Sequence, residues 1–79
     1  MKVYPNPSTG SVNVTLPTIG SNTLLTVFDM SGRIVYNETI TDPDITGIKQ
    51  LDMSGYKQGI YFIKLSNDQV VKTVKLVLQ

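Results

Sequence analysis

The sequence predicts an all-β domain, an immunoglobulin-like antiparallel β-sandwich of about six or seven strands. Three observations carry that prediction. Apolar residues recur at every second position, and no helical period of three and four competes with them. Clusters of Gly, Asn, Asp, Ser and Pro punctuate the chain at roughly 8–12-residue intervals, the spacing such a sandwich needs. The 79 residues are 41% hydrophobic and 16% charged, which supplies one thin core and leaves no length for a second domain. Trp and Cys are both absent, so the hallmarks of an antibody domain are missing.

The elements follow in order. Met1 abuts the start of a strand, and residues 1–79 are therefore read as one domain separated from a longer protein. No apolar stretch follows Met1-Lys2-Val3-Tyr4-Pro5, so no signal peptide is expected, and no run reaches the roughly 18 apolar residues of a membrane span. Ser11 to Leu16 alternates with Val12, Val14 and Leu16 on one face, and Pro17 ends it because proline cannot donate to a ladder. Thr23 to Asp29 is rich in β-branched and aromatic residues. Asp29-Met30-Ser31-Gly32-Arg33 then makes a hairpin turn, with Gly32 available for a positive φ, and Arg33 to Ile40 returns.

Thr41-Asp42-Pro43-Asp44 reads as a loop before a strand from Ile48 to Leu51. Asp52 to Gly59, with glycines at Gly55 and Gly59, connects the two sheets. Ile60 to Ser66 is the strongest strand, placing Tyr61, Ile63 and Leu65 on one face and Phe62 and Lys64 on the other. Asn67-Asp68 turns the chain into the last strand, Gln69 to Leu78.

Composition excludes several kinds of chemistry. A formal charge of +1 gives no clustered basic footprint for nucleic acid. Without Cys there is no disulfide or thiolate, and without His the commonest general base and metal ligand are gone. No cofactor, metal site or catalytic residue is expected. Asp29, Glu38, Asp42, Asp44, Asp52 and Asp68 fall mostly at turns, where Asp is ordinary turn chemistry, and one thin sandwich seldom encloses a cleft. Asp42-Pro43-Asp44 fits no EF-hand loop and reads as an exposed loop rather than a calcium site. Asn13-Val14-Thr15 and Asn37-Glu38-Thr39 match the glycosylation triplet, a pattern too short to assign. Tyr4 and Tyr61 read as packing before they read as a ligand platform. Lys72 and Lys75 read from spacing as charges that protect an edge strand.

Several stretches taken together resemble a known family. Val3-Tyr4-Pro5-Asn6-Pro7-Ser8-Thr9-Gly10 resembles the Y-P-N-P-x-x-G opening of type IX secretion (Por secretion system) C-terminal sorting domains, type A. Phe28-Asp29-Met30-Ser31-Gly32-Arg33-Ile34-Val35 is similar to that family's acidic, Gly-basic hairpin. Leu51 to Tyr61 is similar to its L-x-x-L-x-x-G-x-Y segment, with Met53 and Tyr56 at the usual apolar positions, and Val71 to Val77 matches its lysine-bearing closing strand. The resemblance covers essentially the whole chain, in order and spacing.

What the resemblance implies is a non-catalytic sorting signal at the C-terminus of a secreted or cell-surface protein of a Gram-negative bacterium. An attached N-terminal cargo folds in the periplasm, and the domain is then recognised by an outer-membrane translocon and its shuttle proteins. A sortase-like cysteine protease usually removes it. The motif residues so implied are Tyr4, Pro5, Asn6, Pro7, Gly10, Asp29, Gly32, Arg33, Gly59 and Tyr61. Pro5 and Pro7 fix φ, Asn6 can bond backbone, and Gly10 and Gly59 permit unusual angles, all of which are fold-making roles. Recognition is expected at the exposed closing strand, on Lys72, Thr73, Val74, Lys75, Leu76 and Val77, by strand addition if that strand lies at an edge. An uncovered edge also leaves room for a weak homodimer. The rival readings are an accessory carbohydrate-binding sandwich and a passive spacer.

Overall fold

In the computed structural model, residues 2–15, 23–40, 47–68 and 71–79 are described. They form β1 (Lys2–Tyr4), β2 (Ser11–Thr15), β3 (Thr23–Asp29), β4 (Ile34–Ile40), β5 (Ile48–Asp52), β6 (Gly59–Ser66) and β7 (Val71–Leu78). These pair into a three-stranded sheet, β1-β2-β5, and a four-stranded sheet, β4-β3-β6-β7. All ladders are antiparallel. The expected sandwich is the observed one, and strand limits differ from expectation by a residue or two. Leu16, Pro17, the Thr41–Asp44 loop, Gln69 and Val70 lie outside the described residues.

Alternation builds the core. Val12 and Val14 of β2, Leu25 and Val27 of β3, and Tyr61, Ile63 and Leu65 of β6 point between the sheets and are buried. Val3, Leu51, Met53, Leu76 and Leu78 close the layer. Burial of this kind contributes about 25 cal/mol per Å² of apolar surface, the main favourable contribution to folding. A bulge between Val27 and Phe28 shifts the β3–β4 register, so Phe28 faces Ile34 while Val27 faces Tyr36.

The open flank beside β4 and β5 is tied by charge. Lys49 Nζ lies 2.9 Å from Glu38 Oε2, and the Tyr36 hydroxyl donates to Glu38 Oε1 at 2.6 Å. Holding that proton against Glu38, aided by partial burial, pushes the Tyr36 phenol up to about 12. The same hydrogen bond, then Lys49, holds the Glu38 carboxyl below its ordinary value. Tyr61 adds a device common in immunoglobulin-like folds: its hydroxyl donates back to the Lys57 carbonyl at 2.7 Å, a tyrosine corner at the start of β6.

Strand direction sorts the connections. The register places Tyr4 beside Asn13, Ser11 beside Asp52, Asp29 beside Tyr61 and Gly59 beside Leu78. A bridge from Ser8 to Leu78 joins the two sheets at that same end. The turns at 5–10, 30–33 and 53–58 and the last residue, Gln79, therefore share one pole. β1 begins at the opposite pole, and the longest dimension of the molecule is 34 Å.

Candidate recognition site

Each stretch that carries the sorting-domain resemblance lands at that pole or runs into it. The opening turn, Tyr4 to Gly10, lies against the outer edge of β7. Asn6 supplies both halves of a strand-like pairing: its Nδ2 donates to the Lys75 carbonyl at 2.7 Å, and its Oδ1 accepts from the Val77 N–H at 3.0 Å. Ser8 continues the pairing with its backbone. Its N–H donates to the Val77 carbonyl at 2.9 Å, and its carbonyl accepts from the Gln79 N–H at 2.7 Å. The buried Ser8 hydroxyl donates to the Ser11 carbonyl and accepts from the Gly10 N–H, closing the turn on itself. Both prolyl bonds in this turn, Tyr4–Pro5 and Asn6–Pro7, are cis.

Gly10 links this turn to the next. Its carbonyl accepts from the Met53 N–H at 2.8 Å. Its φ is 154°, a backbone angle that favours glycine, while a Cβ there would meet the Ser54 Cβ at 3.4 Å, an ordinary contact. Beyond it, Asp52 accepts from the Ser54 N–H at 3.0 Å, and Tyr56 N–H donates to the Met53 carbonyl. Met53 is buried and Tyr56 packs against the core, so both serve the apolar role of their motif positions. The Tyr56 and Tyr61 rings stack with centroids 6.1 Å apart.

The hairpin is organised by one carboxylate. Asp29 accepts from the Ser31 hydroxyl at 2.7 Å, the Ser31 N–H at 3.0 Å and the Arg33 N–H at 3.0 Å, and from Arg33 Nε at 3.1 Å. The Ser31 hydroxyl and the Arg33 backbone hold its carboxyl below the ordinary range. Gly32 takes φ 91°, as the turn requires. Arg33 is largely exposed and its bond to Asp29 is an external one, worth little by itself. Between this hairpin and residues 55–61 lies an open groove with Met30, Ile34, Tyr56 and Ile60 on its walls. Its acid is committed to the turn, and among the described residues no three His, Cys, Asp or Glu side chains converge.

The closing strand divides its residues between two faces. Leu76 is wholly buried and Val74 packs against the core, so neither presents its side chain outward. Lys72, Thr73 and Lys75 are exposed and Val77 is half-buried. β7 does lie at a sheet edge, but its edge is not bare. The Lys75 carbonyl, both backbone groups of Val77 and the Gln79 N–H are taken by Asn6 and Ser8. Only Val71, Thr73 and the Lys75 N–H are left uncovered by that turn. Tyr4 and Tyr61 form no shared platform: Tyr61 is in the core, while Tyr4 is partly exposed with Lys2 Nζ 5.9 Å from its ring centre.

Sequence reasoning named the motif residues but not what binds them to one another. Asn6 and Val77 are 71 positions apart, and no periodicity reports a contact of that range. It also left Phe28, Ile34 and Ile60 unassigned, although strand alternation already placed Phe62 and Lys64 on the face away from the core.

The fold is an immunoglobulin-like β-sandwich whose motif turns gather at one pole and fasten its last strand. The chain matches, over residues 2–79, the family described as secretion system C-terminal sorting domain, and it belongs to that family. It is a C-terminal sorting signal of type IX secretion, recognised by that system's machinery and marking its protein for the cell surface or the exterior. No individual curated protein matches the chain.

Proposed function

We propose that this domain acts without catalysis, as a folded label that closes a longer secreted protein and is read at its motif pole and outward β7 side chains. The supporting observation is the fastening of β7 by Asn6 and Ser8. Fixing this strand sets the positions of Lys72, Thr73, Lys75 and Val77 before any partner arrives, which lowers the ordering cost of binding. The cargo precedes Lys2, at the pole opposite the motif turns, and so stands clear of those turns. In this reading the partners are the outer-membrane translocon and its shuttle proteins. A sortase-like cysteine protease then removes the domain, releasing the cargo or joining it to anionic lipopolysaccharide.

The test places residues 2–79 behind a fluorescent protein that carries a periplasmic signal peptide, in a host with a type IX system and in a translocon-deficient strain. Fluorescence outside the competent cells alone is the expected result. An intact, folded fusion held in the periplasm of both strains contradicts the reading and favours a spacer or carbohydrate-binding role.

A further inference from the structure

The four-stranded sheet has a second face, turned away from the core. Phe28 and Phe62 sit directly opposite each other on β3 and β6, half-buried, and neither packs with the core cluster. The register extends this pair into a row across all four strands: Ile34, Phe28, Phe62 and Lys75. Beside it Ile60 faces Val77 toward the motif pole, and Lys64 faces Thr73 on the other side. Ile34 is 52% exposed, and Leu24 and Val71, further along the same face, are 44% and 61% exposed. A soluble sheet face normally alternates to polar residues. An apolar strip of this kind marks a surface that meets a partner.

Its charge is one-sided. Lys64 and Lys75 flank Phe62, and among the described residues no carboxylate pairs with either. Among the described residues the acids lie elsewhere: Asp29 is bound within its hairpin, Glu38 points to the Lys49 flank, Asp52 is on the other sheet, and Asp68 is in the β6–β7 turn. A second copy of this chain would bring lysines against lysines, with no acid among the described residues of that face to receive them, and like charges set together oppose association.

We propose that this outward face of β4-β3-β6-β7 is the docking surface for the secretion machinery, and that its occupant is a protein surface with carboxylates set around an apolar anchor. The anchor seats on Phe28 and Phe62, and the carboxylates meet Lys64 and Lys75. Because Asn6 and Ser8 already occupy the C-terminal half of the β7 edge, contact there is made by side chains on the face and not by an added strand. The proposal rests on the sorting role above.

The experiment uses the fluorescent fusion with Lys64→Glu/Lys75→Glu, with Ile34→Ser, and with Lys2→Glu as a control on the other sheet. Thermal melts establish that each purified variant is folded. Export of the unaltered fusion reads the sorting role; the variants read the face. Loss of export by at least about tenfold in the double reversal and in Ile34→Ser, with Lys2→Glu unaffected, is the expected result. Unaltered export of folded Lys64→Glu/Lys75→Glu overturns the proposal. Sedimentation that shows a dimer of the unaltered domain, broken by Ile34→Ser, also overturns it, by giving the face to a second copy. Retention of the unaltered fusion overturns the sorting role, and the partner assigned to this face falls with it.

Discussion

Asn6 holds the backbone of Val77 and of its neighbour Lys75 from outside the sheet, through an N–H···Oδ1 bond of 3.0 Å and an Nδ2–H···O bond of 2.7 Å. A side-chain amide presents an N–H donor and an oxygen acceptor side by side, at a spacing close to that of a peptide group. It can therefore stand in for a missing neighbour strand, which Asp or Leu at this position cannot do. The first motif of the chain thus completes the last, and the two together occupy an edge that would otherwise invite pairing.

Tyr61→Phe removes the hydroxyl that donates to the Lys57 carbonyl at 2.7 Å. The ring remains in the core, so the loss is confined to that bond and to the carbonyl left behind. Destabilisation of about 1–2 kcal/mol is expected in urea unfolding, with an unchanged slope. A neutral substitution would show that the corner is incidental.

Gly10 and Gly32 differ in what surrounds them. At Gly32 a Cβ meets nothing within 4 Å, so Gly32→Ala carries only the strain of φ 91°, about 1–2 kcal/mol. At Gly10 the strain of φ 154° falls in a turn that also fastens β7. Gly10→Ala is expected to cost more than Gly32→Ala in paired denaturation curves, because its strain falls in the turn that bonds Ser8 and Met53. The reverse order would show that this turn tolerates the strain.

Acid should weaken the fold. Asp29 and Asp52 are held below their ordinary value of 3.8, chiefly by the side-chain hydroxyls of Ser31 and Ser54, and Glu38 lies below 4.5 through Tyr36 and Lys49. A folded-state value below the unfolded one stabilises the fold above the unfolded value and loses that contribution as pH falls through the folded one. Melting temperature is therefore expected to decline below about pH 4 and to be level from about pH 5 to about pH 9, below the range in which Tyr36 titrates. Asp29→Asn, which no longer titrates, should flatten part of that decline. An unchanged acid limb in Asp29→Asn would show that the hairpin carboxylate contributes nothing to it.

What the sequence reveals is what local rules govern. The β6 alternation of Tyr61, Ile63 and Leu65 reports the core directly, and Asp29 with Gly32 reports the hairpin, because both are set within a few residues. The β1–β7 relationship is different: Asn6, Pro7 and Ser8 read as an isolated turn until the fold brings Val77 beside them. Within the candidate recognition stretch, alternation already separates Val74 and Leu76, which pack inward, from Thr73, Lys75 and Val77, and treating Lys72–Val77 as one surface overlooks that period. The row Ile34-Phe28-Phe62-Lys75 is hidden for another reason. It depends on the bulge after Val27, and a one-residue shift changes which β4 side chain joins the face.

The fastening of β7 by the opening motif is tested most directly by amide hydrogen exchange at Val77 in the native domain and in Asn6→Ala. The Val77 N–H has its acceptor on that one side chain. Its protection is expected to fall by about tenfold or more, matching a hydrogen bond of roughly 1.4 kcal/mol, while the core amide of Ile63 keeps its own. Equal protection of Val77 in both proteins would contradict the fastening.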